Sequence, residues 1–246
     1  MKLAASPQVD CLLLAAGFGS RLKELTRELP KPLLQVKGRA LIDWNLDLIA
    51  AAGIKQVYIN LHYLPDKIRQ HVGDGSKWGL RVNYSFEPKI LNTGGAIKNL
   101  EHKFTQALIL TINSDALLGR DFSLQALIDA HETSKHRPVA TLAVRVAGAE
   151  DNYSDLGLTS ERLIGRFLNV EYDSLTGPEK YIYLGVQVLN RELLKTMPTA
   201  ENAFSITQDT YVRALASGQK LQAYPYGGYW RDVGTPERLA EANLTF

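Results

Sequence analysis

An α/β fold is predicted, built on a Rossmann-like, mostly parallel sheet covered by helices on both faces, with a small additional β layer in the second half. Three features of the sequence predict it. Strand-like and helix-like patterns alternate from Val9 to Val146, which is the signature of parallel strands joined by crossover helices. The first apolar run, Val9 to Ala15, empties into a small-residue loop bearing Gly17 and Gly19. Beyond Val146 the alternation gives way to short apolar runs separated by polar turns.

The elements follow in order. Val9–Ala15, Gln56–Leu61, Leu80–Phe86, Ala107–Ile112 and Val139–Val146 are apolar runs of strand length. Leu41–Ala52, Pro65–Val72, Gly94–Leu100 and Leu124–Ser134 between them carry helical patterns, and a further one starts at Ser20 and Arg21. Leu156–Thr159, Leu163–Val170 and Tyr181–Leu189 are the strands expected in the second half, as a layer of antiparallel or mixed strands. Ile206–Ala216 and Pro236–Ala242 are the helices expected there. Residues 1–246 form one expected domain in two halves, over about 1–150 and about 151–246. No repeat, low-complexity tract or linker interrupts them.

Composition narrows the function. A chain of 246 residues with 45% hydrophobic and 22% charged residues has globular proportions and enough length for a large core. The net charge of +2 and the scattered basic residues argue against a nucleic-acid partner. No apolar run approaches a membrane span, and Met1 to Asp10 lacks the apolar core of a signal peptide. The single cysteine, Cys11, has no internal partner and fits a core position in a cytoplasmic protein.

The chemistry concentrates at Leu14-Ala15-Ala16-Gly17-Phe18-Gly19-Ser20-Arg21-Leu22 and Leu29-Pro30-Lys31-Pro32-Leu33. Small residues let a backbone approach a ligand closely, and amides at a helix start attract phosphate. Arg21 and Lys31 add two full positive charges. The flanking prolines restrict the backbone of Lys31. A loop of this kind beside two cations suits a nucleoside triphosphate.

These segments resemble the signature of the sugar-1-phosphate nucleotidyltransferases, short single-domain type. Three later segments match in the family's order: Asn92-Thr93-Gly94-Gly95-Ala96, Asn113-Ser114-Asp115, and Gly228-Tyr229-Trp230-Arg231-Asp232-Val233-Gly234-Thr235-Pro236. The resemblance implies transfer of a nucleoside monophosphate from a triphosphate to a sugar 1-phosphate, with loss of pyrophosphate. It implies Mg2+ held by Asp115 and Asp232. Arg21 falls to the β- and γ-phosphates, Lys31 to the α-phosphate and the sugar phosphate. Leu14, Ala15, Ala16, Gly17, Gly19 and Ser20 fall to the nucleotide, as do Glu87, Thr93 and Gly94. Gly95 and Asn113 fall to the sugar phosphate. Relatives carry a Val-Glu-Glu-Lys-Pro lysine with no clear copy here, for which Lys180 is the stand-in. They also carry glycine where Ser114 stands.

Many relatives have glutamine at the position of Glu87. An ionised carboxylate only accepts hydrogen bonds and suits the two adjacent donors of guanine, so GTP leads UTP. The five histidines show no metal spacing. A dehydrogenase is disfavoured by Leu22 at the third glycine position and by the lack of an acidic residue near Asn60. A P-loop lacks its Gly-Lys-[Ser/Thr], and a metal-dependent glycosyltransferase lacks its Asp-x-Asp. A regulatory subunit that binds a nucleotide sugar without turnover is the non-enzyme alternative, against which all four charged residues are retained. The sugar and the oligomeric state are open, a homo-oligomer included.

Overall fold

A computed structural model describes residues 7–148, 151, 153 and 156–246; the expectation about a leader peptide falls largely on residues 1–6, outside the described ones. The first half runs β1 (Val9–Leu14), β2 (Gln35–Val36), β3 (Arg39–Ala40), α1 (Leu41–Ala51), β4 (Gln56–Leu61), α2 (Pro65–Val72), β5 (Arg81–Phe86), α3 (Asn92–Asn99), β6 (Leu108–Asn113), β7 (Ala116–Leu118), α4 (Leu124–Glu132) and β8 (Ala140–Val146). The second half runs β9 (Leu156–Leu158), β10 (Ile164–Phe167), β11 (Val170–Glu171), β12 (Tyr181–Asn190), α5 (Val212–Ala216), β13 (Leu221–Pro225), β14 (Trp230–Asp232) and α6 (Pro236–Thr245).

Among the described residues, ten strands form one mixed sheet in the order β11-β10-β9-β12-β6-β1-β4-β5, with β8 and β13 joined through β12. Following the pairings, only β12 and β10 run against the other eight. The short strands of the second half extend this sheet. The separate β material is the ribbon pairing β14 with β7 and the β2–β3 hairpin. Expected elements hold to within a few residues, with three local differences. Leu163–Val170 divides into β10 and β11 because Leu168 and Asn169 take positive φ and make a turn. Ile206–Ala216 opens as a π-helical turn, Ile206–Tyr211, before α5. The helix at Ser20 is a 3₁₀ segment, Ser20–Thr26, broken at Lys23 (φ 52°, ψ −122°).

Side-chain alternation along the strands builds a core on each face. Leu13 and Leu110 pack with Ile42 and Leu46 of α1 and Leu127 of α4. Their neighbours Leu12 and Ile109 pack on the other face with Ile97 of α3, Tyr211 and Leu215. A third cluster, including Leu22, Trp44, Leu117, Val233 and Ala242, ties the first loop to the end of the chain.

Two pairings position the site. β1 and β6 are parallel and adjacent, with Leu14 opposite Asn113, and Ser114 N–H donates to the Leu14 carbonyl at 3.0 Å. The glycine loop and Asp115 therefore leave the same rim of the sheet, where ligands of open α/β sheets bind. The β14–β7 ribbon sets Asp232 opposite Ala116, so the far end of the chain arrives beside Asp115.

Candidate active site

The loop after β1 is shaped by contacts from three directions. Ala15 N–H donates to Asn60 Oδ1 at 2.7 Å, fixing the loop to the end of β4. Gly19 takes φ +67°, and a Cβ there would lie 3.0 Å from Thr26 Cγ2 and 3.1 Å from Lys31 Cβ. Glycine thus permits both the left-handed backbone and the close return of the chain. Pro30 then starts a 3₁₀ turn, Lys31–Leu33, in which Leu33 N–H bonds the Pro30 carbonyl at 2.8 Å. This turn holds the largely buried Lys31 side chain inward.

Lys31 Nζ bonds Asp115 Oδ2 and lies 3.7 Å from Asp232 Oδ1. Around Asp232, Tyr153 Oη donates to Oδ2 at 3.0 Å, Arg238 Nη1 lies 3.3 Å from the same oxygen, and Arg21 Nη2 lies at 3.8 Å. Burial pushes the Asp115 carboxyl up, but Lys31 and Arg21 outweigh it and hold it below the usual carboxylate range. The Asp232 carboxyl is pushed up, first by burial and then by the negative charge of Asp115. Burial likewise keeps the Tyr153 phenol protonated.

A divalent cation fits this donor set. Asp232 Oδ1 is buried with no hydrogen-bond partner among the described residues, beside a second carboxylate. No group of three or more Asp, Glu, His or Cys side chains suited to a metal exists among the described residues. Two carboxylates with the remaining positions left to phosphate oxygens and water suit Mg2+, not a cation caged by protein.

A cleft of about 330 Å3 opens here. Leu14, Ala15, Ala16, Gly17, Gly19, Ser20, Arg21, Lys31, Glu87, Thr93, Asn113 and Asp115 all line it, and Asp232 reaches it through Lys31 and Arg21. Glu87 is buried. Its Oε1 accepts from Asn60 Nδ2 at 2.8 Å and its Oε2 from Leu91 N–H at 3.0 Å. Burial raises its carboxyl against the pull of these bonds. Three expected residues lie elsewhere. Gly94 and Gly95 are buried beneath Phe204, whose carbonyl accepts both amides at 2.9 and 3.2 Å. A Cβ on Gly94 would lie 2.5 Å from the Phe204 ring, so close packing explains the glycine. Lys180 is exposed at the start of β12, where its carbonyl accepts from Ala147 N–H.

Five site residues had no role assigned from sequence. Asn60, Asn92 and Ser114 line the cleft; a polar residue ending a buried strand was the available signal for Asn60. Arg238, two residues past Pro236, had proximity to the last motif as its signal. Tyr153 had none, because only the fold carries it to Asp232. His62 stands at the rim, its Nδ1 2.7 Å from the Glu87 carbonyl.

Comparison with known proteins adds an independent line. The family model described as nucleotidyl transferase matches residues 10–246. A mannose-1-phosphate guanylyltransferase of Mycobacterium tuberculosis is 33% identical over 95% of this chain and 63% of its own length. A glucose-1-phosphate adenylyltransferase of Desulforamulus reducens is 30% identical over 95% and 62%. The chain therefore spans somewhat under two thirds of these relatives. Among solved structures, HddC from Yersinia pseudotuberculosis complexed with GMP-PN superposes with a TM-score of 0.77 at 22% identity, covering 97% of this chain and 99% of that one. A candidate glucose-1-phosphate thymidylyltransferase from Bacillus anthracis superposes with a TM-score of 0.78 at 20% identity, covering 96% and 94%. At these identities the superpositions speak for the fold alone.

Proposed function

This chain belongs to the nucleotidyl transferase family, and from that premise we propose that it transfers a nucleoside monophosphate from a nucleoside triphosphate to a sugar 1-phosphate. The observation that carries the reading is the meeting of Lys31, Arg21, Asp115 and Asp232 at one end of a cleft whose wall is the glycine loop. Two polyanionic reactants have to be brought together, so neutralisation and positioning dominate the chemistry.

An oxygen of the sugar 1-phosphate attacks the α-phosphorus, the bond from that phosphorus to the β-bridging oxygen breaks, and pyrophosphate leaves. No covalent enzyme intermediate is needed. Arg21 is more than half exposed and only loosely tied to Asp232, so it can turn to the β- and γ-phosphates and follow the leaving group. Lys31 is nearly enclosed between two carboxylates; phosphate oxygens at the α-position and on the sugar give it further anionic partners. Asp115 and Asp232 would hold Mg2+, which supplies charge neutralisation to the phosphates. Tyr153 and Arg238 orient Asp232 by bonding one of its oxygens and leaving the other unbonded. Asn113 faces the cleft beside the acceptor, and Lys180 and the Gly94–Gly95 turn are kept as outer contributors to sugar-phosphate and nucleotide binding.

For the donor we place GTP ahead of UTP. The support is the 33% identical guanylyltransferase; the adenylyltransferase relatives keep ATP in the test. No helix among the described residues is long and apolar enough to cross a membrane, and the fully buried, unpaired Cys11 accords with a cytoplasmic setting. Pyrophosphate release from the four nucleoside triphosphates, each with a panel of sugar 1-phosphates, tests the reading. Release that needs both substrates is the expected result. Tight nucleotide-sugar binding without exchange would replace transfer with a binding-only role, and nucleoside diphosphate released from a supplied nucleotide sugar, with no pyrophosphate from any triphosphate, would point to glycosyl transfer.

A further inference from the structure

Polar groups in the wall of the cleft form a chain with a fixed sense. Ala15 N–H donates to Asn60 Oδ1 (2.7 Å), Asn60 Nδ2 donates to Glu87 Oε1 (2.8 Å), and Leu91 N–H donates to Glu87 Oε2 (3.0 Å). Asn60 and Glu87 are 3% and 1% exposed, so water does not substitute for a lost partner. The two ends of the chain are backbone donors and cannot be reversed. Hence Asn60 must turn its oxygen to the loop, and Glu87 must accept at both oxygens.

We propose that Asn60 and Glu87 are positioning residues for the nucleotide loop, with the Glu87 carboxylate locking the Asn60 amide so that it holds Ala15, and that Glu87 does not itself read the base. The proposal rests on the nucleotidyl transfer reading and adds a division of labour to it. The wall that a nucleotide meets, Leu14 to Gly17, is set from behind by the ends of β4 and β5. Each oxygen of Glu87 already accepts a hydrogen bond within the protein, and the side chain is almost wholly buried, so little of it is offered to a base.

The pattern makes an unusual demand on substitution. In Glu87→Gln, one end of the new amide must face a donor, either Leu91 N–H or Asn60 Nδ2; turning Asn60 over only moves the conflict to Ala15 N–H. In Asn60→Asp, two carboxylate oxygens confront each other. The double variant Asn60→Asp/Glu87→Gln restores every contact with one bond reversed, because the new amide donates to the new carboxylate and still accepts from Leu91.

The test compares wild type, both single variants and the double variant by Kd and KM for all four nucleoside triphosphates and by hydrogen exchange of the Ala15 amide. Each single variant should raise KM by about tenfold or more for every accepted triphosphate, with unchanged preference among bases, and should speed Ala15 exchange by about tenfold or more, as expected for loss of a buried hydrogen bond. The double variant should recover most of both effects. A Glu87→Gln enzyme that exchanges one base preference for another, with no recovery in the double variant, would overturn the proposal. If the single variants do not fold, a folded double variant supports the chain and an unfolded one overturns it. If wild type turns over no nucleotide at all, the function reading fails, while Ala15 exchange still decides this one: an unchanged rate in Glu87→Gln would end it.

Discussion

Burial, and then the charge of Asp115, raise the Asp232 carboxyl against the pull of Lys31 and Arg21, and one of its oxygens has no hydrogen-bond donor among the described residues. Proteins hold such groups at sites where a ligand brings the compensation. Asp232→Asn removes the like-charge opposition and retains an acceptor for Tyr153 and Arg238. We expect that variant to melt at or above the temperature of wild type in chelator, yet to lose turnover by about a hundredfold or more. Asp115→Asn should lose a similar factor, and since it removes the charge that pairs with the largely buried Lys31 it should not gain stability. Steady-state rates at saturating magnesium together with melting curves in chelator check both, and near-normal rates would end the metal assignment. Lys31→Ala should lower turnover by about a hundredfold; an unchanged rate would refute its role. Asp232, Asp115, Lys31 and Arg21 were legible because they stand in spaced motifs. Tyr153 was not, since a tyrosine in a polar stretch has no pattern until the fold brings it to Asp232.

At the scale of elements, the glycine loop depends on one left-handed residue. Gly19→Ala places a Cβ against Thr26 and Lys31 in a conformation that costs an L-residue about 1–2 kcal/mol. Urea unfolding should show a loss of at least that size, and a neutral result would mean that the loop has room to relax. A second element-scale effect concerns α4. His131 is buried on β8 and β12, with Nδ1 2.9 Å from Thr141 Oγ1 and Nε2 3.1 Å from Asn190 Oδ1. Burial holds its imidazole below the ordinary value of 6.5. The unfolded chain therefore takes up the proton first as pH falls. The stabilisation is complete above about pH 6.5 and is lost as pH drops from there toward the lower folded value. Unfolding free energies at pH 7 and pH 5 should differ more for wild type than for His131→Gln, and parallel profiles would refute the assignment. The 3.6 and 2.0 periodicities made these helices and strands readable. They did not reveal β13, a short strand ending in Pro225, because its partner β8 is distant in sequence.

For the whole molecule, the site is a junction of the glycine loop, the end of β6 and the β14 ribbon, closed by a small core that includes Leu22, Trp44, Leu117 and Val233. Binding a ligand there should stabilise the entire chain. At a triphosphate concentration near 100 Kd with magnesium, linkage contributes about 2.7 kcal/mol, a rise of about 5–10 °C in melting temperature for a chain of this size. Chelator should remove most of that rise. A melting temperature indifferent to the nucleotide would count against the cleft as its site.

Sequence alone determined the α/β class, the rim at which the first loop lies, and the charged residues of the motifs, because these depend on local periodicity and on residue types whose chemistry is intrinsic. Tertiary structure decided which of them meet. It brought Asp232 to Asp115 across more than a hundred residues, set Gly94 and Gly95 close under Phe204, and turned both oxygens of Glu87 inward to Asn60 and Leu91. The physical reason is that a hydrogen bond or a steric contact is a property of two partners. A one-dimensional pattern identifies each partner and is silent on the pair.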